Sequence, residues 1–309
     1  MSLDLFMERE VRNVGSNTII IDRDDPLTRG WGFFESLEGR LRLLSWSVSN
    51  LPREQTVEHI EDYLVKEGMD DVTVRAGHSR VFEDMSRLFT DEKLKDISIM
   101  GRIFLGIPAT FYQGLLAKLF RADHYNPFTK TAIIYSDVPA IARHELGHAK
   151  DFSERTFPTW YALSRSIPGI DLFQEGKATM YAHESMAPKD KWQTGRYLVP
   201  AYATYVGGYL SLIAFWGTGS APAAGVVGLA ALAAGHIIGN MYAGLRKAAD
   251  YVSGRSKQAD YAVAPTMEIV TEASPPKESF LSRVGGKLKA AARYVTGTST
   301  PRPMAVGAM

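Results

Sequence analysis

Two long runs without a charged residue constrain the fold of this chain more than any other feature. The runs extend from Tyr197 to Trp216 and from Ala221 to Leu245, and the four-residue segment GTGS forms a turn between them. About 20 helical residues, at a rise of about 1.5 Å each, cover the roughly 30 Å hydrocarbon core of a bilayer. Each run is long enough to span a membrane, so the sequence predicts a transmembrane helical hairpin at 195–247.

Small residues in both runs favour helix pairing in lipid, because they let two backbones approach closely. Gly235 and Gly239 form a GxxxG step, and further glycines offer similar points of contact: Gly207, Gly208, Gly225 and Gly228. The alternative is a buried hairpin in a soluble protein, because Ala, Gly and Tyr are only weakly lipophilic.

Basic residues flank the outer ends of the hairpin and are missing from its turn. They are Lys189, Lys191 and Arg196 before the first run, and Arg246, Lys247, Arg255 and Lys257 after the second. Short segments rich in Lys and Arg stay on the cytoplasmic side of a membrane. We therefore expect an integral protein of a cytoplasmic or inner membrane, for which the lipid bilayer is a partner. The parts before and after the hairpin are expected on the cytoplasmic side.

The part of the chain before the hairpin shows the patterns of a mixed domain. Alternation and helical spacing predict, in chain order, a strand at 17–25, helices at 26–51 and 56–69, a strand at 71–77, a helix at 79–94 and a strand at 130–137. Charges and a proline interrupt the apolar stretch 97–120, where we expect a core or membrane-surface helix. The expected fold class is mainly helical α+β with a small sheet.

The stretch AIARHELGHAKDF, from Ala140 to Phe152, follows the last predicted strand and contains candidate metal ligands and a candidate general base. His144 and His148 are four residues apart, so a helix places both imidazoles on one face, where they can bind a single ion. Glu145 stands beside a metal-bound water, as a general base requires. The chain has no cysteine, so a metal must be held by His, Asp or Glu.

The same helix has features that predict how it packs. Ala142, Leu146, Ala149 and Phe152 form a separate apolar stripe that would seat it in a core. Gly147 costs about 1 kcal/mol in a helix interior relative to Ala, so a glycine here indicates that another helix passes close by.

A second helix is predicted in DLFQEGKATMYAHES, from Asp171 to Ser185, with Asp171 as its cap. Glu175 lies on one face of this helix with Thr179 and Ala182. A hydrolytic zinc ion usually has three protein ligands and keeps one position for water, and His-His-Glu is an established set. We therefore expect Zn2+ to be held by the two histidines and Glu175.

HELGH followed by EGKATMYA resembles the gluzincin metallopeptidases, and distantly the branch with the membrane-embedded heat-shock zinc protease and the CAAX prenyl endopeptidase. In that branch the third ligand opens an E-x-x-A-D-x-x-A pattern. Glu175, Ala178 and Ala182 are in register with it, but Thr179 stands at the aspartate position. That aspartate supports a zinc-bound histidine, so the resemblance implies this role for Thr179, or for Asp151 in its place. The hairpin also follows the third ligand here, whereas in that branch membrane spans precede or interrupt the site.

The resemblance implies a gluzincin-like zinc domain and a zinc metalloendopeptidase that cleaves membrane or membrane-associated polypeptides, with Glu145 as the base. The strand at 130–137 is expected to be an exposed edge along which substrate adds, or else a plain core strand. The oxyanion donor stays open among four residues: Tyr161, Tyr181, His183 and His124. The alternatives are a catalytically inactive zinc-binding or scaffold membrane protein of this fold, and a chance motif in a soluble helical protein.

The expected organisation has four parts: an N-terminal strand and helix segment at 1–54, the zinc domain at 55–192, the hairpin at 195–247, and a polar tail at 248–309. Within the tail, Phe280 to Val295 has the spacing of a basic amphipathic helix, although a solvated tail is the alternative. The net charge is +1 at pH 7, so we expect no nucleic acid as a partner. The oligomeric state stays open.

Overall fold

The chain is seen in a computed structural model, which describes residues 8–23 and 54–253. The helix predicted at 26–51, the basic residues Arg255 and Lys257, and the amphipathic helix predicted between Phe280 and Val295 lie outside the described residues. The four boundaries drawn from the sequence stay predictions.

A mixed five-stranded sheet lies before the hairpin. Its strands are β1 (Glu8–Val14), β2 (Asn17–Arg23), β3 (Thr73–Ala76), β4 (His124–Asn126) and β5 (Thr131–Ile134). Their order is β1-β2-β3-β5-β4; the central three are parallel, and each outer strand is antiparallel to its neighbour. The strands predicted at 17–25, 71–77 and 130–137 are confirmed as β2, β3 and β5.

All of the helices except the short one at Pro158–Ser164 lie where the sequence predicts helical structure, and that helix falls in the segment expected to connect the two metal helices. The helices are α1 (Glu54–Lys66), α2 (Val81–Thr90), α3 (Ile107–Phe120), α4 (Pro139–Ser153), α5 (Pro158–Ser164), α6 (Ile170–Ser185), α7 (Val199–Thr218) and α8 (Ala221–Val252). Helical turns at Ile99–Gly101 and Arg102–Gly106 lead into α3, and turns at Pro188–Asp190 and Thr194–Leu198 precede α7. The fold is mainly helical α+β, as the sequence predicts.

The main apolar core lies between one face of the sheet and helices α1 and α4. Its strand residues include Ile19, Val74 and Ile134, and α1 contributes side chains such as Ile60 and Leu64. The predicted stripe of α4 is confirmed, because three of its members belong to this core and the fourth is buried beside it: Ala142, Leu146, Ala149 and Phe152. Burial of this stripe fixes which face of α4 turns away from the sheet.

The other face of the sheet packs against α2 through buried polar contacts. Arg75 of β3 is fully buried and donates to Asp84 of α2 at 2.8 Å. Arg87 of α2 donates to the hydroxyls of Thr73 and Thr131, each at 2.7 Å. Successive residues of a strand point to opposite faces, so β3 meets the apolar core with Val74 and meets α2 with its neighbours.

Helices α4 and α6 cross at Gly147, as the glycine predicts. A Cβ atom on Gly147 would lie 2.6 Å from the carbonyl oxygen of Ala178 and 3.1 Å from its Cα. Real Cβ contacts are not this short, so any larger residue must push the two backbones apart. The crossing brings Glu175 of α6 next to the histidine face of α4.

Gly147→Ala is expected to destabilise the protein by about 1–3 kcal/mol, because overpacking against a backbone cannot be relieved by a rotamer change. Gly176→Ala, also in a helix, is the matched control. Its Cβ would make ordinary contact with Tyr202 at 3.9 Å, so the better helix propensity of Ala should stabilise it by up to about 1 kcal/mol. Unfolding midpoints in detergent test both, and equal shifts would contradict the crossing.

Helices α7 and α8 form an antiparallel hairpin in which Gly207 of α7 meets Gly228 of α8. Gly195, in the helical turn before α7, meets Gly239 of α8. Two helical stretches, Pro188–Thr218 and Ala221–Val252, are long and apolar enough to cross a membrane. Only 17% and 11% of their apolar windows are buried within the protein. A core helix of a soluble protein is mostly buried, so the described residues do not support the buried-hairpin alternative.

The predicted small-residue contacts are confirmed at four of the six glycines: Gly207, Gly228, Gly235 and Gly239. A Cβ on Gly228 would lie 2.6 Å from Ser211 Oγ, and one on Gly207 would lie 3.0 Å from Ala231 Cβ. The prediction is wrong for Gly208 and Gly225, which have nothing within 4 Å. Each helical residue is rotated about 100° from its neighbour, so Gly208 faces away when Gly207 faces the partner helix.

Candidate metal centre

His144, His148 and Glu175 converge where α4 and α6 cross. Nε2 of His144 lies 3.1 Å from Glu175 Oε2, and Nε2 of His148 lies 3.4 Å from Oε1. All three ligand atoms lie within 4.8 Å of one another. Zinc bonds of about 2.0–2.1 Å in a tetrahedral site place two ligand atoms roughly 3.3–3.4 Å apart, and the two separations, which run to different oxygens of Glu175, are close to this value. The structure therefore brings together all three predicted ligands.

The charge state of the three side chains suits metal binding. Burial opposes ionisation of Glu175, but the two histidines hold its pKa well below its ordinary value, so the carboxylate is anionic. Burial lowers the pKa of His148 and keeps its imidazole neutral. Burial also acts against the charged form of His144, but its hydrogen bond to Glu175 raises the pKa of this histidine. Zinc takes neutral imidazole and carboxylate, so its binding would favour the neutral form of His144.

Thr179 supports the first histidine from one turn further along α6. Its Oγ1 lies 3.3 Å from Nδ1 of His144. The Asp151 alternative is wrong, because its carboxylate lies further along α4 and bonds instead to Tyr161, Arg155 and Lys177. Nδ1 of His148 is buried without a hydrogen-bond partner among the described residues. Thr179 is therefore the residue whose contact with His144 matches the histidine-supporting role that the resemblance implies.

Thr179→Val is expected to weaken zinc binding by about 10-fold, because outer partners of metal-bound histidines contribute 10–100-fold and a neutral hydroxyl lies at the low end. Thr179→Asp is expected to strengthen binding, since a carboxylate makes a charge-assisted hydrogen bond with the histidine N–H. Competition with a chelator measures both affinities. The contact has no supporting role if the three affinities are the same.

Glu145 is buried beside the ligands. Burial raises the pKa of Glu145 to about 8, the negative charges of Glu175 and Asp123 add to the shift, and His144 opposes it. A cation held by the ligands would lower this pKa, because a nearby positive charge favours the carboxylate. The electrostatic neighbours of the Glu145 carboxylate are His144, Glu175, Asp123 and Arg165, so it lies within the charged surroundings of the ligands.

Arg165 joins the site without having been predicted. It follows α5 and donates from Nη2 to Glu175 Oε1. Its side chain is 38% exposed, so the guanidinium lies between the ligand and the surface. The only sequence signal is that the connector 154–169 contains two cations, and the other, Arg155, pairs with Asp151.

The four residues considered as oxyanion donors have other partners. Tyr161 bonds to Asp151, Tyr181 to Glu154, and His183 to Thr194, while His124 contacts the carbonyl of Ala122. Within the described part of the chain, no hydrogen bond joins any of the four to a ligand side chain. The choice of oxyanion donor among the four stays open.

The predicted cap of α6 is wrong. The helix begins at Ile170 after Gly169, whose φ of 89° is the left-handed conformation that glycine adopts readily. Asp171 lies inside the first turn and accepts a hydrogen bond from Tyr209 of α7 at 2.6 Å. The Pro168–Gly169 turn, rather than a side-chain cap, starts the helix.

The expected edge strand is also corrected. β5 pairs with β3 on one side and with β4 on the other, so it lies inside the sheet. The edge is β4, because the turn after Asn126 folds His124–Asn126 back onto β5. The ring of Tyr125 in β4 lies 5.8 Å from that of Phe152 in α4, so the true edge strand runs beside the metal helix.

Comparison with known proteins identifies no relative. No protein-family model, curated protein or solved structure matches this chain. The resemblance to gluzincins therefore stays an expectation from two short motifs, and a functional assignment depends on the geometry of the site.

Proposed function

We propose that this chain is a membrane-anchored zinc metalloendopeptidase. The proposal is supported by the convergence of His144, His148 and Glu175 next to a buried Glu145. His-His-Glu with a fourth position left for water is a ligand set of hydrolytic zinc sites, not of closed structural ones. A zinc ion bound there would acidify a water molecule and polarise the scissile carbonyl.

Three other side chains of the site have separate roles in the proposed reaction. Glu145 accepts the proton of the attacking water and gives it to the leaving amine. Thr179 orients the ring of His144, and Arg165 pairs with the carboxylate of Glu175.

The substrate in this proposal is a polypeptide. The open edge of β4 runs beside α4, and an extended chain could add to it by main-chain hydrogen bonds. The hairpin holds the site at a bilayer, on the cytoplasmic side if the basic residues around the hairpin follow the usual rule. Membrane proteins and membrane-associated polypeptides are therefore the substrate class.

The Arg165 contact supports a second candidate, the catalytically inactive membrane protein of the same fold. Arg165 already neutralises Glu175, so the cluster can be balanced without an ion. Thr179 is also a weaker partner for a zinc-bound histidine than the aspartate it replaces. Zinc content and the activity of a Glu145 variant separate the two candidates.

Activity is tested with the full chain reconstituted in vesicles and an unfolded, membrane-associated polypeptide as substrate. The proposal expects cleavage that 1,10-phenanthroline stops and added zinc restores. His144→Ala should be inactive under the same conditions, because one of the three ligands is missing. Cleavage that is indifferent to the chelator and to His144→Ala would overturn the proposal.

A further inference from the structure

Apolar side chains are exposed on two segments before the hairpin. The first is the helical stretch 99–115 and the second is 157–173, which runs from the start of α5 into α6. Large exposed members of these segments are Phe104, Phe111, Phe157, Trp160, Ile167 and Phe173, between 48% and 71% exposed. Isolated exposed apolar residues are ordinary, but their concentration on one surface indicates an interaction site. We name this surface the collar.

The collar presents almost no charge. The stretch 99–115 contains one charged residue, Arg102, and positions 157–173 contain two, Arg165 and Asp171. Arg102 donates to the backbone carbonyls of Ile97 and Leu88. Arg165 is paired with Glu175, and Asp171 accepts a hydrogen bond from Tyr209. An uncharged surface that is rich in aromatic residues suits lipid, where an unpaired charge would be costly.

The two segments meet. A Cβ atom on Gly101 would lie 3.2 Å from Cγ2 of Thr159 in α5. Ala162 of α5 packs against a buried cluster that contains Ile97 and Phe128. The stretch 99–115 and the segment 157–173 therefore form neighbouring parts of one surface.

Contacts with α7 place this surface along the hairpin. Tyr209 accepts a hydrogen bond from the backbone N–H of Gly169 at 3.2 Å, and its hydroxyl donates to Asp171. Tyr202, two turns earlier, faces Gly176 of α6. The end of the segment 157–173, at Gly169 and Asp171, therefore lies next to the middle of α7.

The position of Tyr209 along α7 gives the depth in the bilayer of the residues that contact it. Within the longer helical stretch Pro188–Thr218, the uncharged run from Tyr197 to Trp216 has 20 residues, about 30 Å, so this run needs its whole length to span a bilayer. Tyr209 lies ten residues after Val199, or about 15 Å along the axis. If the hairpin spans, the segment beside Tyr209 is at the depth of the hydrocarbon region.

We propose that the collar is inserted in the bilayer beside the hairpin, so that the metal centre lies at membrane depth and its substrates reach it from within the membrane. The proposal rests on the membrane location of the hairpin and not on the zinc chemistry. Its occupant is lipid, because the collar is continuous with the hairpin and each of its three charged side chains has a polar partner within the protein. The substrate class narrows to polypeptides with a membrane-inserted segment.

Single-cysteine variants test the proposal, since the natural chain contains no cysteine. Phe104→Cys and Phe157→Cys report on the collar, Trp216→Cys on the hairpin, and Val11→Cys on β1 as the water-exposed control. All four replaced side chains are exposed, so labelling leaves the core packing intact. Each full-length variant carries a nitroxide label in phosphatidylcholine vesicles. Collision with oxygen, which concentrates in lipid, is compared with collision with a water-soluble nickel chelate.

The expected result is that both collar labels collide mainly with oxygen, as the Trp216→Cys label does, while the Val11→Cys label collides mainly with nickel. Nickel-accessible collar labels beside an oxygen-accessible hairpin label would overturn the collar alone. A nickel-accessible hairpin label would overturn both the hairpin location and the collar. Collar labels shielded from both reagents would show that a protein surface covers them, which also overturns lipid as the occupant. Zinc content is unaffected in each case, so failure here is distinct from failure of the peptidase.

Discussion

Glu145→Gln is expected to lower the rate of peptide cleavage by about 10²–10⁴-fold, the usual contribution of a positioned general acid or base. Glutamine has nearly the same shape but cannot take a proton from water, so the ligands and the fold should be unchanged. The measurement is kcat/KM for the unfolded membrane-associated substrate, together with zinc content. The variant should hold as much zinc as the natural protein.

Glu184→Gln is the matched control for this prediction, because it makes the same chemical change at an exposed position of α6. It should leave both activity and zinc content unchanged. Cleavage that persists in Glu145→Gln at the natural rate would contradict the assignment of the base. It would also favour the inactive candidate, with the cleavage then coming from another protease in the preparation.

Glu175→Ala is expected to weaken zinc binding by about 10²–10³-fold. Four-ligand zinc sites bind with roughly 10–16 kcal/mol, so one ligand is worth about 3–4 kcal/mol, and each 1.4 kcal/mol is tenfold. The substitution also leaves Arg165 without its carboxylate partner, which adds a cost in stability. Chelator competition measures the affinity, and the unfolding midpoint measures the stability.

His148→Ala should lower zinc affinity by a similar factor but leave the Arg165 contact with Glu175 in place. Its loss of zinc should therefore come with a smaller drop in unfolding midpoint than that of Glu175→Ala. If Glu175→Ala kept the natural affinity while His148→Ala lost it, the third ligand would be a different residue.

The parts of the fold that were predictable are those set by local periodicity. The apolar stripe from Ala142 to Phe152 and the glycine at 147 determine which faces of α4 meet the sheet and α6, and both appear in the sequence itself. The two histidines share a face because of their spacing alone. Glu175 was predictable because a helix with a suitable face follows within reach.

The parts that were missed depend on contacts between distant segments. β1 has few apolar residues, since only Val11 and Val14 of its seven are aliphatic, and its pairing with β2 is what makes it a strand. β4 has three residues, too few for a pattern, so its sequence indicated only a turn. The contact of Arg165 with Glu175 depends on how the connector 154–169 folds back over α6, which no local spacing encodes.

The proposed function depends on zinc being bound by the cluster formed by His144, His148 and Glu175. The most direct test is the metal content of the full-length protein, purified in detergent after expression with zinc supplied and measured by inductively coupled plasma mass spectrometry. We expect about one zinc per chain, as for a three-ligand hydrolytic site. A protein that contains no zinc after this preparation would contradict the zinc site. Glu175 would then serve as the ion-pair partner of Arg165 and not as a metal ligand.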